Sequence, residues 1–514
     1  MRLGINVGDT NSHAVLMKDT AILGDIQTTT TPDITVGFTA MLQALMAKTN
    51  VDPAQIKAIT IGTSHFTRAI IERQNLTRVA VIRLGLPATR AILPFTGWPP
   101  DLLEVINGNA YLAHGGNEFD GRSIARLQRT EIQEIASRIR DQGNRSIAIS
   151  SVFSMVNASM EEEAADIVQQ IIPDAIITLS HEIGRMGLLE RENAAIMNAC
   201  LCDLANHFIQ TIRRALAEMQ LDAPLYLSQN DGTSMAACYA EHYPVLTFCS
   251  INSNAMCGAA FLSGAHEAVV VDMGGKTSNV GVLVGGFPRE LAFAGYLGGV
   301  RVNIRMPDIF TFNLGTASRV SLDPLRVGPE CVTQDLVSRS LIFGGSDLTA
   351  IDIAVAAGIK DIGQRSAVDN LPPRKVEAAM REMQRMVQQA VNRMRIPTAP
   401  IPVVLVGSGS VLLRMRLTGV SDVIRPDYFS VSRAVGAAIG QVGGEIERVF
   451  SLTLISRETA LQQTREAAYL KASDAGAAPG TIKVVEVQET PLNYLPGNTL
   501  YVRVKSMGDL LINP

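Results

Sequence analysis

Two segments far apart in the chain repeat one design: Gly4-Ile5-Asn6-Val7-Gly8-Asp9-Thr10-Asn11 near the start, and Val270-Val271-Asp272-Met273-Gly274-Gly275-Lys276-Thr277 beyond the middle. Each is an apolar strand, an acid or amide, a glycine turn with small polar residues, and a second apolar strand. Glycine lets backbone N–H groups come close to a phosphate, and hydroxyls add donors. A carboxylate behind such a turn can hold water on Mg²⁺. This makes Gly8, Thr10, Asn11, Gly274, Gly275, Lys276 and Thr277 candidate phosphate contacts, with Asp9 and Asp272 as candidate metal-binding and catalytic acids. A third segment, Val403-Val404-Leu405-Val406 running into Gly407-Ser408-Gly409-Ser410, suits close approach of a nucleotide to backbone. The bland reading is that glycine turns only reverse the chain. Asp9 fits a plain Asx turn as well as a metal contact, and Lys276 either neutralises a phosphate or fills the space a nucleotide needs.

The elements that must carry these turns can be read from patterning. Strands are expected at Leu3–Val7, Ala14–Met17, Ala58–Ile61, Val79–Arg83, Ile147–Ser150, Leu225–Leu227, Val269–Asp272 and Val403–Val406. Helical spacing covers residues 35–48, 160–170, 191–219 and 376–394, with a small-residue helix over 433–441. The acidic run Glu161-Glu162-Glu163 reads as a helix start on a solvated face, and its sign suits that position. The tail from Ser451 holds one helix and strands at 483–487 and 500–504, punctuated by Pro491, Pro496 and Gly497. Alternating strands and helices predict an α/β architecture. Two similar hairpins suggest a duplicated domain. The expected division is 1–180, 181–450 and a small α+β segment, 451–514.

The 514 residues predict about two to four domains. With 47% hydrophobic and 18% charged residues, the chain is an ordinary globular one rather than disordered. Its 45 basic and 49 acidic residues leave a net charge of -4 and no basic stripe, which argues against nucleic acid. No apolar run approaches a membrane span, and MRLGINVGDT lacks a signal pattern; the expected compartment is the cytoplasm. The six cysteines show no CxxC pair and read as reduced thiols. The seven histidines contain no HxH pair, which disfavours a metal-dependent barrel hydrolase.

The order of the three turns resembles the actin, sugar-kinase and heat-shock-chaperone ATPase fold, a two-lobed α/β architecture. The closer resemblance is to the hydantoinase A/5-oxoprolinase family within it. It is carried by GINVGDTNSHAVL, ITIGTSHFTRAIIER, SSVFSMVNASMEEEAA, ITLSHEIGRMGLLERENAAIMNACL, LYLSQNDGTSM, VVDMGGKTSNVGVLVGGFPRE, GGVRVNIRMPDI and VVLVGSGSVLL, collinear from residue 4 to about 440. It implies an A-type subunit that uses ATP and Mg²⁺ to phosphorylate the oxygen of a small cyclic amide or imide for hydrolysis, with a separate B-type subunit as partner and an oligomeric assembly. It also implies that Gly407, Ser408 and Gly409 border the nucleoside, and that a cleft is faced by His65 and Asp231 as catalytic groups and by Thr63 and Asn230 as substrate contacts. Arg301 and Arg305 would hold planar substrate oxygens, with ion pairing to Asp308 as the competing account. Related enzymes carboxylate ketones, which is one alternative. A non-catalytic protein on a degenerate ATPase fold is the other. It is suggested by departures from the family pattern: Asn6, His13 and Asn279 stand where acids are usual, Asp9 where a glycine is, and Lys276 where a threonine is.

Overall fold

A computed structural model describes residues 1–8, 11–30, 34–332, 336–395, 400–414, 416–493, 495 and 498–512. Asp9, Thr10, Pro496 and Gly497 therefore lie outside the described residues. The chain forms two compact units, and neither is continuous in sequence. The first comprises 1–62, 249–291 and 307–440; the second comprises 63–248, 292–306 and 441–514. The tail 451–514 belongs to the second unit.

The first unit holds two sheets of similar plan. One runs Ala58–Thr63, Arg2–Val7, Asn11–Lys18, Ala21–Thr29. The other runs Phe287–Pro288, Ser278–Val284, Ala268–Met273, Val403–Val406, Val423–Ile424. The second sheet shows how period-two patterning positions a strand. Val269, Val271 and Met273 face one core with Met380, Met383, Val387 and Val391 of the helix Pro373–Met394. Val270, Val404 and Val406 face the opposite core with Met256 and Ala259 of the helix Ser250–Ser263. Burial on both faces explains the unbroken apolar runs.

The second unit contains a parallel sheet, Asn109–His114, Val79–Leu86, Ser146–Ser151, Ile176–Leu179, covered by the helices Arg129–Asp141 and Ser159–Ile171. It also contains the strands Lys483–Pro491, Thr499–Gly508, Val442–Ser451, Ser234–Ala236 and Leu225–Ser228 in that order, with the helix Arg457–Asp474 packed on the long pair. The α/β class expected from the sequence is the class observed.

Two local expectations are corrected. The single helix over 191–219 is two, Leu188–Ala199 and Cys202–Glu218, separated at Cys200–Leu201 without a glycine or proline to announce it. Glu161 is not on a solvated face: it is wholly buried and accepts hydrogen bonds from Ser180 Oγ at 2.6 Å and the His181 backbone N–H at 3.1 Å. Among the described residues, no helix is long and apolar enough to cross a membrane.

Candidate active site

The two glycine hairpins are geometrically equivalent. In the first, Arg2–Val7 pairs antiparallel with Asn11–Lys18, Asn6 opposite His13 and Val7 opposite Ser12. In the second, Ala268–Met273 pairs with Ser278–Val284, Asp272 opposite Asn279 and Met273 opposite Ser278. Each turn closes with the same bond: Gly8 N–H to Asn11 O at 3.2 Å, and Gly274 N–H to Thr277 O at 3.0 Å. The third turn abuts the second hairpin. Val403–Val406 runs parallel to Ala268–Met273, and Gly407 leaves it with φ +79°. A Cβ on Gly407 would lie 2.4 Å from Met273 O, and one on Gly409 would lie 2.7 Å from Gly274 O. Only glycine allows that approach. Gly8, Asn11, Gly274, Gly275, Lys276, Thr277, Gly407, Ser408 and Gly409 thus all lie on turns of the first unit. These glycine cradles fit the phosphates of a nucleotide.

A residue that the sequence reading missed sits beside both hairpin turns. Arg433 lies in the first turn of the helix Ser432–Ile439. Three glycines set that helix in place: a Cβ on Gly4 would lie 2.1 Å from Ala434 O, one on Gly258 1.9 Å from Ser432 O, and one on Gly436 2.0 Å from Asn254 O. Arg433 Nε and Nη2 donate to Asp272 Oδ2 at 2.9 and 2.7 Å. Its Nη1 lies 3.9 Å from where a Cβ on Gly8 would be, and its Nη2 lies 3.6 Å from the same point on Gly274. The available signal was a lone cation at the head of a run of small residues, SRAVGAAI.

The polar groups behind the turns are almost all uncharged. Asn6 is wholly buried, and neither carboxamide atom has a hydrogen-bond partner among the described residues. His13 is buried with Nδ1 unpartnered. Burial, reinforced by the Arg433 charge, lowers its pKa to about 3, so it is neutral at pH 7. Asn279 is committed elsewhere, donating to Asn252 Oδ1 at 3.2 Å and accepting from Thr311 Oγ1 at 2.7 Å. Asp272 is the remaining acid, and one of its oxygens is held by Arg433. Mg²⁺ prefers carboxylate and water oxygens in an octahedron. Asp272 Oδ1 is buried without a partner among the described residues, but one carboxylate oxygen beside a guanidinium, with amides and a neutral imidazole, is a poor donor set for it, so the described residues do not fit Mg²⁺. They include no group of three or more His, Cys, Asp or Glu side chains able to hold a metal ion.

The other sequence-predicted residues belong to the second unit. Thr63 is buried and its Oγ1 accepts from the His65 backbone N–H at 3.1 Å. His65 stacks on Phe208 at 5.2 Å, and burial lowers its pKa to about 4. Asn230 donates to Val245 O at 3.2 Å. Asp231 accepts from Thr233 N–H and Oγ1 at 3.0 and 2.6 Å and pairs with Lys505 at 2.7 Å. Burial alone would raise its pKa, but the Lys505 ammonium and these hydrogen bonds hold it at about 2. Arg301 is exposed and lies 3.4 Å from Glu190. Arg305 pairs with Glu445 and Glu447, not with Asp308, whose partner is Arg289 at 2.7 Å. Asn230, Asp231 and Arg305 line one pocket with Glu182, Arg185 and Lys471. Lys471 was also missed. Its Nζ donates to Glu182 O at 2.8 Å, and burial lowers its pKa.

Comparison with known proteins gives a consistent answer. Residues 2–172 match the hydantoinase/oxoprolinase N-terminal region, and residues 191–361 match hydantoinase/oxoprolinase. The chain is 26% identical to caprolactamase subunit alpha of Pseudomonas jessenii over 254 residues, 46% of this chain and 35% of that one. It is 22% identical to an uncharacterized protein of Methanocaldococcus jannaschii over 305 residues, 56% of this chain and 44% of that one. The matched segments thus span less than half the length of these curated relatives. Among solved structures, the ATP-dependent caprolactamase from Pseudomonas jessenii superposes with TM-score 0.77 at 17% identity, covering 99% of this chain and 87% of that one. A nucleotide-free acetone carboxylase superposes with TM-score 0.70 at 13% identity, covering 99% and 88%. These two likenesses show a shared fold. On the two sequence matches, which together take in most of its length, the chain belongs to the hydantoinase/oxoprolinase family.

Proposed function

We propose that the protein is the A-type, ATP-using part of an enzyme that activates a small cyclic amide or imide for ring opening, with a B-type subunit as partner. The observation that carries this reading is the triple glycine cradle, two equivalent hairpin turns with the Gly407–Gly409 turn against the second. A lactam is a poor electrophile because its nitrogen delocalises into the carbonyl. ATP held at the cradle supplies the phosphoryl group that, on the carbonyl oxygen, ends that delocalisation and admits water. The chain's own contribution is positioning and charge. Arg433 and the exposed Lys276 neutralise phosphate oxygens.

The test is ADP release by the purified chain with caprolactam, 5-oxoproline and hydantoin, each with and without a B-type subunit. Amide-dependent ADP release is expected. ADP release that requires bicarbonate and a ketone instead would move the assignment to carboxylation. A second reading, nucleotide binding without turnover, is favoured by the Asp272–Arg433 pair and by Asn6. ATP binding with no ADP release on any substrate would decide for it.

A further inference from the structure

We infer that the phosphate site of the first unit takes a nucleoside polyphosphate without a divalent metal ion, with Arg433 supplying the positive charge. The inference rests on the proposed nucleotide reading and concerns what that site requires.

Both hairpin turns approach one guanidinium, Nη1 near Gly8 and Nη2 near Gly274. Asp272 anchors the group through a single oxygen, Oδ2, engaging Nε and Nη2. Nη1 makes no hydrogen bond with any described residue, and the side chain keeps one-fifth of its surface exposed. The group is therefore both fixed and reachable. A planar guanidinium edge is suited to phosphate oxygens.

The surroundings share this character. At the position equivalent to Asp272 in the first hairpin stands Asn6, whose Nδ2 lies 3.6 Å from where a Cβ on Gly8 would be. Its buried amide carries no charge where a carboxylate would repel phosphate and call for a cation between them. The residues opposite in register, His13 and Asn279, are uncharged as well. Among the described residues, a divalent ion placed here would meet a guanidinium and a single unpartnered carboxylate oxygen, Asp272 Oδ1. An anion would meet the exposed edge of the guanidinium. The two amides, the imidazole and the one arginine thus form a coherent set.

The experiment is calorimetric titration of the full chain with ATP, and separately with inorganic triphosphate, in EDTA and in excess Mg²⁺. Affinity in EDTA is expected to equal or exceed that in Mg²⁺ for both probes. Arg433→Met should weaken binding about tenfold or more, the worth of one charge-assisted hydrogen bond, and Arg433→Lys should fall between. Because Arg433→Met leaves Asp272 buried without its partner, Asp272→Asn with Arg433→Met serves as the folded control and should bind equally weakly. Binding at least about tenfold tighter in Mg²⁺ would overturn the inference; loss of that dependence in Asp9→Ala would assign the metal to Asp9. Failure of both probes to bind in EDTA would overturn it too. The outcomes separate this inference from the proposed activity. Tight binding in EDTA without ADP release upholds the first and sinks the second, while Mg²⁺-dependent binding with ADP release does the reverse.

Discussion

The hairpins around Gly8 and Gly274 share loop length, closing hydrogen bond and register, yet differ in the residue behind the turn. Asn6 is buried with no partner among the described residues, whereas Asp272 is buried and paired to an arginine from a helix 161 positions on. The backbone of such a turn is dictated by glycine and strand register. The charge behind it is a separate variable, constrained only by the need for compensation. One hairpin carries an uncharged amide there and the other a carboxylate paired to a cation.

That contrast can be broken most severely at Asp272. Asp272→Ala strands the Arg433 guanidinium and should cost about 3 kcal/mol of stability, read by chemical denaturation. A loss below about 1 kcal/mol would mean the pair is already well solvated. Next comes the helix that carries the arginine. Gly436→Ala drives a methyl group into Asn254 O and should cost about 1–3 kcal/mol while weakening polyphosphate binding. Unchanged binding would detach Arg433 from the site.

A third measurement uses pH. His13 has a folded pKa near 3 against 6.5 unfolded, so the unfolded chain takes the proton first. Its contribution is complete above pH 6.5 and fades as pH falls, by about 2 kcal/mol between pH 7 and pH 5. His13→Asn should flatten that slope, and an unaltered slope would refute the assignment. In the second unit His181 has the opposite sign. Burial works against its charge, but the Glu161 carboxylate at 2.7 Å raises its pKa. Its contribution is present at low pH and is lost as pH rises through the raised value.

The mildest test concerns the first hairpin. Asn6→Leu removes two unpartnered polar atoms and should stabilise the unliganded chain by about 1 kcal/mol while weakening ATP binding. A destabilised variant would show that the amide has a structural role. Lys276→Thr, on an exposed turn, should change stability by less than about 0.5 kcal/mol.

The turns were legible in the sequence because glycine and small polar residues between apolar runs leave few alternatives. The strand Val403–Val406 and the helix Pro373–Met394 were legible for the same reason, their periodicity being unbroken. Arg433 was not legible as a site residue, because its meaning depends on Asp272, and no local pattern reports a partner so far along the chain. Lys471 was hidden inside an ordinary helix, since the pocket that buries it is assembled from strands and loops elsewhere. Glu161 misled for a related reason. Three successive acids look solvated, but a helix turns the first of them inward, toward His181.

The glycine contact between Gly4 and Ala434 has a consequence for biosynthesis. The strand Arg2–Val7 and the helix that covers it, Ser432–Ile439, lie far apart in the chain. During translation this apolar strand must wait through more than 400 residues for its cover. Such long-range closure slows folding and prolongs exposure of a sticky surface. An N-terminal fragment ending near residue 180 should therefore emerge aggregated rather than folded, and the nascent chain is expected to depend on a holdase until residue 440 has left the ribosome.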